Sequence, residues 1–241
     1  MGHRVTKQPG LFEDAAAHLN RMRSIVIGRD AECLVTLLAA HAPDEPAILD
    51  STYGTGVMWK GTGFLPVRMD LNPDLDVDKV GDFTAMPFEA NSFDVIVFDP
   101  PHFPNAGGSA LSLSGSAKPY RHHYGLADAG DIGRDGDDIS GLFVPFLREA
   151  ARVLRPSGLV FAKIKDFVHN HRYQWQHVMF IEAARTVGLT PCDLLVKADP
   201  AGGNLQSGRW QQAMHLRNAH CFWIVVRNST RCEPLGHPID G

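Results

Sequence analysis

The sequence predicts an α/β protein built on a parallel, doubly wound sheet with helices on both faces. Short apolar runs of strand length recur along the chain, and segments with apolar residues at helical spacing alternate with them. Three of the runs lead directly into an aspartate, namely Asp50, Asp70 and Asp99. In open parallel sheets, ligands bind outside the carboxyl ends of the strands, so residues just past each strand are candidate site residues.

Residues 11–24 and 30–41 read as helices, the second carrying Cys33, Leu34, Leu37 and Leu38 on one face with Pro43 just past its end. Residues 46–50 read as a strand that feeds a turn of small residues, 51–56. Residues 65–69 give a second strand, and the nearly all-apolar residues 93–98 give a third, buried on both faces. The stretch 102–138, rich in Gly, Ser, Ala and Asp, reads as a loop, and loops this long in compact domains are functional or disordered. A helix follows over 139–154, stopped by Pro156-Ser157-Gly158; then come a strand at 159–164, a helix at 173–187, and strands at 193–197 and 221–227. With no repeat and no interdomain linker, 1–241 is expected to be a single domain with residues 1–29 as an N-terminal extension.

Composition narrows the classes. The 241 residues hold 23 Lys+Arg and 27 Asp+Glu, with 44% hydrophobic and 21% charged residues, which excludes a disordered or collagenous chain. The longest apolar runs, 93–98 and 221–226, fall far short of the roughly 20 residues of a membrane helix, so no membrane partner is expected. Cys33, Cys192, Cys221 and Cys232 form no close pair, which argues against a disulfide framework or zinc knuckle and for a cytoplasmic setting, as does the absence of a signal pattern in residues 1–10. The net charge of −4 conceals an asymmetry: residues 1–150 hold 12 basic and 21 acidic residues, and 151–241 hold 11 and 6. The basic part offers either a phosphate-binding face or an ordinary solvated surface.

Gly54 and Gly56 let the first strand turn tightly and bring backbone close to a ligand. The dinucleotide fingerprint is incomplete, because Trp59 occupies its third glycine position, so pyrophosphate binding is not predicted. Asp70 ends the next strand, where a carboxylate can accept both hydroxyls of a ribose. Asp82 can accept an exocyclic amine, and Phe83 either stacks on a purine or packs in the core. Together these groups suit an adenosine-bearing cofactor that lacks pyrophosphate.

The run Ile48-Leu49-Asp50-Ser51-Thr52-Tyr53-Gly54-Thr55-Gly56, then Met69-Asp70-Leu71-Asn72-Pro73, Gly81-Asp82-Phe83 and Phe98-Asp99-Pro100-Pro101-His102 resembles the class I S-adenosylmethionine (SAM) dependent methyltransferases. Within them it is similar to the Asp-Pro-Pro-aromatic amino-methyltransferases of nucleic acids, and its Asp-Pro-Pro-His variant to small phage-associated DNA methyltransferases. The resemblance covers about residues 30–227. It implies a Rossmann-like, mostly parallel sheet of seven strands with the last antiparallel, and SAM as cofactor. It assigns Asp50, Ser51, Thr52, Tyr53, Gly54, Gly56, Asp70, Leu71, Asp82 and Phe83 to the cofactor, and Asp99, Pro100, Pro101 and His102 to catalysis.

The chemistry explains the motif. An exocyclic base amine is a poor nucleophile because its lone pair is delocalised into the ring. If the Asp99 carboxylate and the Pro100 carbonyl each accept one N–H, the lone pair is turned toward the sulfonium methyl, an effect of orientation and electrostatics. The base must first leave its stack. His102 replaces the usual aromatic residue, either as a stacking ring or as a proton relay, and Phe103 is a candidate stacking partner. Lys118, Tyr120 and Arg121 belong to a basic and aromatic cluster suited to phosphate contact and stacking, or else to a plain surface loop. Lys165, with Lys163, His169, His171 and Arg172, and a second group of Arg209, His215, Arg217 and His220, are candidates for a phosphate track. The expected reaction is transfer of a methyl group to the amine of a DNA base, adenine before cytosine. An RNA base amino-methyltransferase and a non-catalytic nucleic-acid-binding subunit are the alternatives.

Overall fold

The computed structural model describes residues 23–42, 44–100, 139–169, 172–199 and 218–229. In chain order these form β1 (Ile25–Ile27), α1 (Asp30–His41), β2 (Ile48–Asp50), β3 (Val67–Asp70), β4 (Lys79–Val80), β5 (Phe93–Phe98) and α2 (Phe143–Val153). There follow β6 (Leu154–Ile164), β7 (Phe167–His169), β8 (Arg172–Gln174), α3 (Gln176–Thr186), β9 (Thr190–Ala198) and β10 (His220–Arg227). Eight strands make one sheet in the order β1-β9-β10-β6-β5-β2-β3-β4, and β7 and β8 form a separate hairpin. Only β10 runs antiparallel to its sheet neighbours, β6 and β9. The chain moves outward from β2 to β3 and β4, then returns to lay β5 on the opposite side of β2. That reversal puts a crevice at the carboxyl ends of β2 and β5.

The sequence expectation of a mostly parallel doubly wound α/β sheet with an antiparallel last strand holds, with one strand more than the seven expected. The additional edge is β1, paired parallel with β9; three consecutive β-branched residues, Ile25-Val26-Ile27, favour extended backbone there. The expected helix at 11–24 lies outside the described residues except for its last two positions. The helix expected from residue 173 begins at Gln176, because Tyr173 pairs across the hairpin with Val168. Residues 139–142 form a 3-10 turn before α2. Cys192 is in a disulfide, correcting the expectation against disulfides, while Cys33 and Cys221 are free and buried. Wide cysteine spacing carries no local signature of a tertiary pairing. No described helix is long and apolar enough to cross a membrane.

The pleat of β5 shows how the sheet is packed. Val95 and Val97 join Leu34, Leu37 and Trp223 in an apolar layer under α1, whereas Ile96 and Phe98 join Phe146 and Phe180 under α2 and α3. This period-two division explains why the run is apolar at almost every position. The Phe98 ring stacks on Phe146 at 3.7 Å between centroids and meets Phe83 edge-on at 5.2 Å. Phe98→Ala is expected to cost about 3–5 kcal/mol of stability, a loss measurable from the urea midpoint. Because Asp99 follows directly, that packing also fixes where the strand delivers its carboxylate.

Candidate active site

Three carboxylates leave the ends of β2, β3 and β5. Asp50 is fully buried, with Oδ1 accepting the Thr52 N–H at 3.0 Å and Oδ2 accepting the Trp59 Nε1–H at 2.6 Å. Burial pushes its carboxyl up to about 7, against the two donors, and the nearby Asp99 and Asp70 charges push the same way. A carboxyl raised on folding holds its proton more tightly in the native state than in the unfolded chain. Its contribution to stability is therefore full below about pH 4 and declines as pH rises toward 7. Trp59→Phe removes a donor to the charged form, so the decline is expected to continue beyond pH 7. Melting temperatures measured from pH 4 to 9 on both proteins test this; parallel profiles would remove Trp59 from the account.

The turn after β2 is stitched onto β5. The Ser51 hydroxyl and N–H both donate to the Val97 carbonyl, at 2.9 and 3.0 Å. Thr52 Oγ1 accepts the Asp99 N–H at 2.7 Å, so the turn and the catalytic candidate are directly joined. Gly54 and Gly56 have φ of 55° and 65°, left-handed values that glycine adopts without strain. A side chain at Gly56 would also collide with the Tyr53 ring, whereas no heavy atom lies within 4 Å of the position a Gly54 Cβ would take. Tyr53 is half-buried beneath the Arg68 guanidinium, which sits 5.7 Å from its ring centroid.

Asp70 receives backbone amides on both oxygens, from Gly54 at 2.8 Å and from Asn72 at 2.9 Å. It thereby links the glycine turn to the segment after β3, where Leu71 is half-buried. Arg68 holds the rest of that segment through Asp78 at 2.8 Å and Asp76 at 3.1 Å. Hydrogen bonds from Arg68 keep the Asp78 carboxyl below its usual range.

Asp99 lies at the same crevice, half-buried, with Lys163 Nζ 3.0 Å from Oδ2, and Pro100 beside it is buried. Lys163 was expected on a phosphate track; instead it is turned inward and ion-paired. Lys165 is half-buried just past β6, and His220 meets Phe222 edge-on at 5.1 Å. Asp166 is buried and accepts the His177 N–H at 3.1 Å, holding the start of α3.

Asp82 is exposed and engaged within its own turn, Oδ1 accepting the Thr84 N–H at 2.7 Å and hydroxyl at 2.8 Å. Phe83 packs on the apolar layer under α2, partly buried. Pro101, His102, Phe103, Lys118, Tyr120 and Arg121 lie outside the described residues, as do His171, Arg209, His215 and Arg217. Among the described residues no group of three His, Cys, Asp or Glu is arranged to hold a metal ion.

Sequence reading missed Trp59, Asp30 and Lys197 as contributors and placed Lys163 on a phosphate track rather than beside Asp99. A signal existed for Lys163, a lone cation in the otherwise apolar run Leu159-Val160-Phe161-Ala162-Lys163-Ile164. Trp59 had none, since its use as a donor depends on how residues 57–59 wind back beneath Asp50.

No family model and no curated protein matches the sequence. Several solved structures are similar at low identity. One is the 1,6-didemethyltoxoflavin N1-methyltransferase of Burkholderia thailandensis with bound 1,6-didemethyltoxoflavin and S-adenosylhomocysteine, 14% identical over 82% of this chain and 77% of that one, with a TM-score of 0.48. Another is a complex of a methyltransferase activator with a candidate methyltransferase from Haloferax volcanii, 16% identical over 90% and 89%, with a TM-score of 0.47. A candidate DNA modification methylase of Thermus thermophilus is 15% identical over 64% and 50%, with a TM-score of 0.35.

Proposed function

We propose that the chain is a SAM-dependent methyltransferase that modifies the exocyclic amine of a nucleic-acid base, with adenine in DNA as the first substrate. The observation that carries this reading is the delivery of Asp99-Pro100 by β5 to the crevice where Asp50, Asp70 and the glycine turn also end. The residues present fit the cofactor. Gly54 leaves open space beside the turn, and each Asp70 oxygen, with one amide bound, keeps a second lone pair for a ribose hydroxyl. When bound, SAM would supply an electrophilic methyl group on a sulfonium, leaving as the neutral thioether S-adenosylhomocysteine while the methylated amine gives up one proton to solvent. The protein's part is to hold the amine: Asp99 and the Pro100 carbonyl accept its two hydrogens and aim the nitrogen lone pair, and Asp99 stabilises the positive charge that grows on nitrogen. Pro101, His102 and Phe103 follow in sequence as candidates to clamp the base, and Lys118, Tyr120, Arg121 and Lys165 as contacts to the polynucleotide. Asp82 bonds to Thr84 and Phe83 packs on the core, so their contribution to the adenine pocket rests on the sequence resemblance.

The test is to incubate the protein with methyl-labelled SAM and unmodified DNA or RNA, digest each to nucleosides, and identify the labelled nucleoside by mass. Label on adenine in DNA is the expected result, and label on cytosine moves the base. Label only in RNA keeps the chemistry and replaces the substrate. SAM binding with no label in either polymer would sink the nucleic-acid reading and leave a small-molecule amine as acceptor.

A further inference from the structure

The carboxyl end of the α1-facing layer is ionic. Phe161 and Lys163 of β6 are two residues apart and so point to the same face, toward α1, and the register that sets Phe98 opposite Ala162 brings Lys163 level with Asp99. Lys163 Nζ lies 3.0 Å from Asp99 Oδ2 and 3.2 Å from Asp30 Oδ2, at the start of α1. Lys197 of β9 lies 3.0 Å from the same Asp30 oxygen. The four side chains form a row of alternating sign, Lys197, Asp30, Lys163, Asp99, each at most about one-fifth exposed.

We propose that Lys163 is the positioning residue for Asp99, fixing one carboxylate oxygen and keeping the group ionised so that it can receive the substrate amine. The inference rests on the proposed methyl-transfer reading. Asp99 must be negative to favour a nitrogen that gains positive charge, yet it interacts with the Asp50 carboxyl, and two neighbouring carboxyl groups oppose each other's ionisation. Lys163 offsets this from the adjacent strand. Poor solvent access strengthens the pair, and Asp30 competes with Asp99 for the same ammonium from the other side. Burial alone would favour a neutral Lys163, but the Asp99 and Asp30 charges outweigh it and raise its pKa. Among the described residues, the thiols of Cys33 on α1 and Cys221 on β10 also interact with the row, and burial raises both above the usual thiol range. Asp99 is the member of the row that lies at the crevice.

The experiment follows the Asp99 carboxyl carbon by NMR titration in the full chain, for the wild type and for K163M, K163R and D30N. In K163M, Asp99 is expected to titrate at least about one pH unit higher, because the neighbouring cation is gone. K163R keeps the charge and should stay near the wild-type value. D30N removes a negative charge from the row and frees Lys163 for Asp99, so Asp99 should titrate lower than in the wild type. Opposite signs in K163M and D30N are an outcome that general loosening of the fold does not produce. An Asp99 titration unchanged in K163M overturns the proposal. If K163M does not fold, D30N decides, since an upward shift or none overturns it equally. Where methyl transfer is measurable, the acid limb of its pH profile should move upward in K163M, with SAM affinity within a few-fold. A wild-type protein that binds no SAM would defeat the methyltransferase reading, while the titrations would still decide what Lys163 does to Asp99.

Discussion

Asp99→Ala is expected to lower methyl transfer by about a hundred- to a thousand-fold while SAM affinity changes by no more than a few-fold. The carboxylate is the acceptor that turns the amine lone pair toward the methyl group, and methyl groups do not hydrogen-bond. Asp99→Asn retains one acceptor oxygen but no charge, so its rate should fall between those of the wild type and the alanine variant. Single-turnover transfer from labelled SAM measures the chemical step, and equilibrium dialysis measures binding. Unchanged turnover in Asp99→Ala would falsify the assignment. A parallel loss of SAM affinity would instead place the residue in the cofactor site.

The second large effect is expected at Asp70. Asp70→Ala deprives the Gly54 and Asn72 amides of their acceptor at once and removes the charged partner assigned to the ribose. SAM affinity should weaken by about 1–3 kcal/mol, roughly five- to 150-fold, as read by calorimetry. The glycine turn should also loosen, so the melting temperature of the free protein is expected to fall. Intact SAM binding would mean that the cofactor lies elsewhere.

The fold was legible because three strands, β2, β3 and β5, are short, largely apolar and end in or lead into an acid. Residues 48–50, 67–70 and 93–98 carry this signal without help from tertiary context. The edge was not legible. β1 has only three residues and its partner is β9, so neither periodicity nor length announces it. The aspartates of the site were visible at the strand ends, whereas their partners were not. Trp59 reaches Asp50 through a local turn, and Lys163 reaches Asp99 across 64 residues of sequence. Asp82 shows a related limit: its Oδ1 accepts both the N–H and the hydroxyl of Thr84, a local engagement on which its spacing in the sequence is silent. Nearby polar side chains compete for a carboxylate in ways that spacing does not express.

The pairing of β1 with β9 carries a consequence for the order in which the molecule is assembled and opened. It joins chain segments so distant that Asp30, just past β1, and Lys197, within β9, are 167 residues apart. Closing so long a loop has an entropic cost that three short rungs, with Ile25 and Ile27 exposed, barely offset. This edge should therefore form late in folding and be among the first regions to detach in the native state, well below the free energy of global unfolding. Amide exchange at residues 25–27 should accordingly outpace exchange in β5 and β6. An opening that extends into the first turn of α1 withdraws Asp30 from Lys163, so the charge balance beside Asp99 is coupled to the sub-global breathing of a strand outside the proposed chemistry.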